Sequence, residues 1–378
     1  MPGDLAPGVY VEEIDSSPPR IESVPTSIAV FVGAFQSGRF NKPVAIASVS
    51  DLERRFGDTS YESAAVVSQF FANGGQNCFV VRVRQRRRNA NIVASIQAGL
   101  AALPQIDHFN LLCIPCTAGL ETSSAAQIYT QAVALCQNRR AFLLIDPPAT
   151  LQTPHDIMTW VDSNPTMRHA DAALYYPWVR TLYATGSNQH RRLTPSGTMA
   201  GMISRTDVTQ GLWKAPAGSH ATLRDVVALD YLLSEREANQ LTSRGVNCLR
   251  EFPNVGRVVW GARTLSSDTE WKYVPVRRLA LHVEESIERG LQWTVSEPNN
   301  EILWTNVRRN IEAFLFELWR AGALLGIKPE QAFFVKCDRT TMTQPDIENG
   351  NLIAHVGFAP LKPAEFVIFR FRSSALQS

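Results

Sequence analysis

Short apolar runs that alternate with helical stretches constrain this 378-residue chain more than any other feature of its sequence. "SIAVFVGAF" is followed by the short helical stretch "SVSDLERRFG", by "SAAVVSQFFANGG", a helix that stops at glycines, and by the apolar run "NCFVVRVR". That order reads β-α-α-β. Further runs, "HFNLLCIP", "RAFLLID" and "AALYYPWV", alternate with helical stretches such as "SAAQIYTQAVALCQNR". Such alternation predicts an α/β layer with a largely parallel sheet. The length exceeds the usual size of one domain and calls for two, or for one domain with a large insertion.

The last third carries two amphipathic helices and short strands. "GRVVWGART" reads as a strand, and "VRRLALHVEESIERGLQ" spaces Leu279, Val283, Ile287 and Leu291 four apart. "NEILWTNVRRNIEAFLFELWRAGALLG" repeats apolar residues at 303, 307, 311, 314, 315 and 318, with Glu301, Thr305, Arg308, Arg309 and Glu312 on the opposite face. Asn299 or Asn300 can cap its start. "AFFVKCD" is a strand after it. Both ends of the chain are strand-like and lie beyond breakers: "GVYVEEI" before Pro18 and Pro19, and "AEFVIFRFRSS" after Pro360 and Pro363. Only "LIAHVGFAP" is close enough to partner the second. Between Gly186 and Gly218 the composition turns loop-rich, which predicts a boundary or an exposed insertion there.

Composition narrows the function classes. An apolar fraction of 45% with 19% charged residues describes a folded chain. The 37 Lys+Arg against 35 Asp+Glu give no global pull toward nucleic acid or anionic membrane. Six scattered cysteines suggest reduced thiols and assembly in a cytosol. The acidic start "MPGDLAPGVYVEEID" does not read as a secretory signal, and "IAVFVGAF" is far shorter than the ~20 residues of a membrane span.

Catalytic patterns are weak. "NGGQN" lacks the Lys of a phosphate-binding loop and reads as a helix end and turn, and neither a Gly-x-Ser-x-Gly elbow nor a His-Glu-x-x-His zinc helix occurs. Cys113-Ile-Pro-Cys116 has redox spacing, yet it ends an apolar strand where two buried hydrophobes are equally expected. The one basic run, "RVRQRRR" from Arg82 to Arg88, lacks interleaved aromatics and reads as a solvated strand end or a salt-bridging interface. Ser266, Ser267 and Asp268 have no local base, so Gly261 to Asp268 reads as strand end and turn. Arg277 and Arg278 fall in the first turn of a helix after Pro275, where the helix dipole disfavours cations. They call for an acid such as Glu284 or Glu285, or for another chain, and an interface is the preferred reading.

Long segments resemble the contractile tail sheath proteins of contractile phages, R-type bacteriocins and phage-like extracellular contractile injection systems. They are "PGVYVEEI", "TSIAVFVGAF", "PSGTMAGMISRTDVTQGLWKAPAG", "WGARTLSSDTEWKYVPVRRL" and "TMTQPDIENGNLIAHVGFAPLKPAEFVIFRF". The stretch from about Asn89 to Leu193 carries little of the likeness.

The resemblance implies a structural subunit, not an enzyme, stacked as hexameric rings around an inner tube, which contracts to drive that tube through a target envelope. It implies a mixed α/β fold: an inner α/β domain from the N- and C-terminal parts, an inserted outer α/β domain, and extended terminal strand arms. Residues 1–20 are then an N-terminal arm, 21–250 the outer domain, 251–360 the inner tube-facing domain and 361–378 a C-terminal arm. Val9, Tyr10 and Val11, and Phe366, Val367, Ile368 and Phe369, are the candidate inter-subunit strands. Arg308 and Arg309 are the candidate tube-facing residues, and Arg277 and Arg278 candidate interface residues.

Implied partners are further copies of the chain, the tube protein, and baseplate and terminator or cap proteins. No cofactor, metal, nucleic acid or membrane insertion is expected. The expected location is a bacterial cytoplasm, within a virion tail or a tail-like particle released by lysis. Two other readings stay open, an α/β hydrolase-like enzyme and a nucleic-acid-binding protein.

Overall fold

A computed structural model describes residues 20–84, 89–183, 189–295 and 297–363. Both candidate strand arms, at Val9 to Val11 and Phe366 to Phe369, lie outside these residues. The chain divides into two compact units, the larger built from Ser23–Glu285 with Ala323–Leu325 and 360–363, the smaller from 20–22, Ser286–Gly322 and Gly326–Ala359.

The larger unit runs β1 (Ala29–Gly33), β2 (Pro43–Ile46), α1 (Val49–Phe56), α2 (Glu62–Ala72), β3 (Cys78–Arg82), α3 (Asn89–Leu100), β4 (Leu111–Cys113), α4 (Thr122–Asn138) and β5 (Phe142–Ile145). It continues through α5 (Pro154–Ser163), β6 (Ala172–Tyr176), β7 (Val179–Leu182), β8 (His190–Leu193), α6 (Ser196–Gln210), β9 (Ala228–Leu229), α7 (Glu235–Ser243), β10 (Val246–Phe252), β11 (Gly256–Trp260) and the part of α8 (Val274–Gly290) before Ser286, where the smaller unit resumes. Eight strands form one sheet in the order β11-β10-β6-β5-β4-β1-β3-β2. The strands from β10 to β3 are parallel, and β11 and β2 close the edges antiparallel.

Apolar residues on both strand faces explain the unbroken apolar runs. Val30 and Val32 of β1 join Leu112, Leu143 and the α4 residues Ile128 and Tyr129 in one core. Ala29 and Phe31 join Leu111, Phe142 and the α2 residues Val66 and Phe70 in another. A sheet covered on both faces needs apolar residues at successive positions, so strict alternation is lost.

Two local expectations change. "AALYYPWV" is two strands, β6 in the large sheet and β7 in a small antiparallel sheet of order β8-β7-β9. The stretch expected to be loop-rich holds α6, with Ser196 to Ser204 entirely buried. Its small residues explain both facts. A side chain on Gly197 would stand 2.0 Å from the Val66 carbonyl oxygen, and one on Gly201 would stand 2.3 Å from that of Phe70. The absence of side chains lets α6 lie directly on α2, and it also removes the apolar stripe by which a sequence announces a helix.

The smaller unit contains α9 (Glu301–Arg320), α10 (Pro329–Ala332), β12 (Phe333–Lys336), α11 (Gln344–Glu348) and β13 (His355–Phe358). Asn300 caps α9, its side-chain oxygen accepting from the Ile302 and Leu303 amides at 3.1 and 3.0 Å. The apolar stripe buries Leu303, Val307, Ile311, Phe314, Leu315 and Leu318. Strand β12 pairs antiparallel with β13, Phe333 opposite Phe358 and Lys336 opposite His355.

Candidate assembly site

A sheet of this order has one place suited to chemistry. The order reverses at β1, which has β3 on one side and β4 on the other, and open α/β sheets take ligands beyond the carboxyl ends of such strands. Here the fold's own groups fill that place. Ser63 accepts from the Ala34 amide at 3.1 Å, and a side chain on Gly33 would stand 2.5 Å from the Ser63 hydroxyl. The Cys116 thiol donates to the Val32 carbonyl at 3.4 Å. Asp146, just past β5, accepts from the Ser196 amide and hydroxyl at 2.9 and 2.6 Å and so caps the buried start of α6. Burial pushes its carboxyl up to about 7 against the Ser196 hydrogen bonds. Ser196 is 1% exposed, so a substrate has no access to its hydroxyl.

The redox spacing is equally closed to chemistry. Burial pushes the Cys113 thiol well above its usual range and that of Cys116 up to about 12, the opposite of an activated thiolate. In the Gly261 to Asp268 stretch, the Thr264 hydroxyl accepts from the Ser266 amide, the Ser266 hydroxyl from the Asp268 amide, and the Asp268 carboxylate from the Glu270 amide, at 3.2, 3.0 and 2.9 Å. These side chains shape a turn. Arg82 of the basic run donates to the Phe35, Gly38 and Gln36 carbonyls at 2.9, 2.7 and 2.8 Å, which ties the loop after β1 to β3. Gln85 to Arg88 lie outside the described residues.

The two adjacent arginines of α8 have acids inside the chain. Arg277 donates to buried Asp171 at 2.6 Å and to Glu284 at 3.5 Å. Arg278, buried with Asp207, donates to both its carboxylate oxygens at 2.8 and 2.6 Å and to the Thr26 carbonyl at 2.7 Å. Glu284 follows from the sequence; Asp171 and Asp207 do not. The need for compensating charge that prompted an interface role for Arg277 and Arg278 is met by these pairs.

The smaller unit also carries surface suited to association. Along α9 the exposed positions Ile302, Arg309, Ala313 and Phe316 recur at helical spacing, and Ile302 is 72% exposed. Among the described residues Arg308 forms a long pair with Glu312, at 3.9 Å, and Arg309 stands exposed beside it. Beyond α9 a groove of about 410 Å³ is lined by Glu312, Phe316, Glu330, Phe333, Phe334 and Val335 among others. One of its walls is β12, which among the described residues pairs only with β13. A strand with an unpaired edge presents free backbone donors and acceptors.

These features describe a scaffold in which the polar groups at the candidate sites hold the fold and the smaller unit offers an exposed helix face and an open strand edge. The family descriptions "phage tail sheath protein central domain" and "phage tail sheath C-terminal domain" match residues 90–265 and 266–374. The chain belongs to the phage tail sheath family. It is similar to a chain of the extracellular contractile injection system PVC sheath complex in the contracted state, with 32% identity, 98% of each chain covered and a TM-score of 0.79. It is also similar to a chain of the anti-feeding prophage baseplate, with 30% identity, 98% of this chain and 100% of that one covered, and a TM-score of 0.77. A prophage major tail sheath protein of Pseudomonas aeruginosa (strain UCBPP-PA14) is 27% identical over 194 residues, 50% of this chain and 48% of the relative. The chain thus aligns with about half the length of that curated relative.

Proposed function

We propose that the protein is the sheath subunit of a contractile tail or contractile injection system, polymerising as stacked hexameric rings around an inner tube and contracting to drive it through a target envelope. The observation that carries this reading is full-length likeness to a sheath chain in a contracted assembly. The tube-facing inner domain falls within residues 251–360, and residues 21–250 form the outer domain. Arg308 and Arg309 of α9 face the tube. Val9 to Val11 and Phe366 to Phe369 of neighbouring copies add as strands to the β12–β13 sheet, because main-chain hydrogen bonds to an open edge link chains without demanding a particular side chain. Such head-to-tail links do not close on themselves and propagate along a tube. Assembly takes place in a bacterial cytoplasm, with baseplate and terminator or cap proteins bounding the sheath.

Electron microscopy of the chain co-expressed with its tube protein tests this. Hollow cylinders with ring striations are expected, and a chain lacking residues 1–15 is expected to stay a folded monomer. Small discrete particles from the full chain across salt conditions would return the enzyme reading to the front.

A further inference from the structure

We infer that the corner of the larger unit where the turn after β1 meets the end of β3 is a docking pocket for an acidic segment of a partner protein, one that seats an apolar side chain between carboxylates. This is independent of the sheath reading and goes beyond it.

The pocket holds about 540 Å³ and lies beside the filled switch point, at the carboxyl ends of the parallel strands β1 and β3. Such strand ends are where open α/β sheets take ligands. Ala34, Phe35 and Val83 give it an apolar lining, and Phe40 and Tyr61, each 39% exposed, complete it. The aromatic residues absent from the basic run itself are thus brought to it by the fold.

Charge at this corner has one sign. Arg82 and Arg84 line the pocket, their guanidinium carbons 4.2 and 4.9 Å from the Phe40 ring centre. Arg39 and Lys42 flank Phe40 in the same exposed turn. No carboxylate is among the lining residues, and among the described residues none pairs with Arg39, Lys42, Arg82 or Arg84. The acids close in sequence are engaged elsewhere: Asp51 by Arg54 and Arg55, and Asp58 by the Ser60 amide at 2.8 Å. Arg82 spends its donors on three carbonyls. Among the described residues the Arg84 guanidinium and the Tyr61 hydroxyl have no hydrogen-bond partner, so their donors remain open. Clustered like charges repel, and an anion from outside relieves that repulsion.

The carrier of that anion follows from shape. Single-stranded nucleic acid is held by cations along its backbone and by ring faces open to its bases. Here two guanidiniums already stand over the Phe40 ring, and the lining is an apolar concavity. An apolar side chain fills such a concavity, while carboxylates on its neighbours reach the cations in charge-assisted pairs.

Fluorescence anisotropy of the full chain with a labelled Glu-Glu-Leu-Glu-Glu peptide tests the assignment. Saturable binding with a Kd below about 1 mM is expected. Arg84→Glu should weaken it at least about tenfold, and so should Gly in place of the peptide's Leu. Lys42→Glu, also on the exposed turn, should weaken it too, whereas Arg250→Glu on β10 should leave it unchanged and so separates the pocket from general charge. Absence of saturable binding, indifference to both Arg84→Glu and Lys42→Glu, equal binding of the Gly peptide, or tighter binding of oligothymidylate overturns the inference. So does a rise in peptide affinity on removal of residues 1–15, which would make the chain's own acidic start the occupant. The measurement does not require tubes, so its failure leaves the sheath reading untouched.

Discussion

Arg278 and Asp207 form a pair with side chains only 4% and 3% exposed. Removing one member strands a charge in a poorly solvated place, which costs about 3–5 kcal/mol. Asp207→Ala should lower unfolding stability by that amount in denaturant titrations. Arg278→Met with Asp207→Leu should recover most of the loss, because apolar replacement of both partners removes the desolvation cost along with the attraction. The same residues mark a limit of reading a sequence. That cations in a first helical turn need an acid follows from the dipole and was legible, but the acids lie 106 and 71 positions away in Asp171 and Asp207. Nothing in local spacing points to them.

Among the elements, strands announced themselves through apolar runs, and α9 through its stripe and its Asn300 cap. Helix α6 was illegible because close packing favours small residues, which leave no amphipathic signature. That packing carries a prediction. Gly197→Ala would push a methyl group into the Val66 carbonyl, a backbone atom that cannot swing aside, so despite the better helix propensity of Ala it should destabilise by about 1–3 kcal/mol. A lowered denaturant midpoint with an unchanged slope would verify it. Of the candidate site, the polar face of α9 was legible. The groove was not, because it forms where α9, α10 and β12 meet, and no single stretch encodes it.

At the scale of the whole molecule, two buried groups give stability opposite dependences on pH. Burial, with Arg278 and His108 nearby, pushes His282 down to about 4. The unfolded chain then binds the proton more readily, so this contribution is complete above about pH 6.5 and is lost as pH falls toward 4. Asp146 is raised to about 7, so its contribution is complete below the ordinary carboxylate range and is lost as pH rises through 7. Thermal melts from about pH 4 to 8 should therefore show acid lability that His282→Gln reduces and a neutral-side decline that Asp146→Asn reduces.

The division of the chain has a consequence for how such a protein can be rebuilt by recombination. The larger unit is, but for short returns, one continuous cassette spliced between Glu22 and Ser286. Exchanging it requires two crossovers, and the two are unequal. The first falls in a stretch without helix or strand, which tolerates a change of length, whereas the second falls inside α8, which runs unbroken from Val274 to Gly290. One residue gained or lost there rotates everything downstream by about 100° about the helix axis, so a viable graft must arrive in phase.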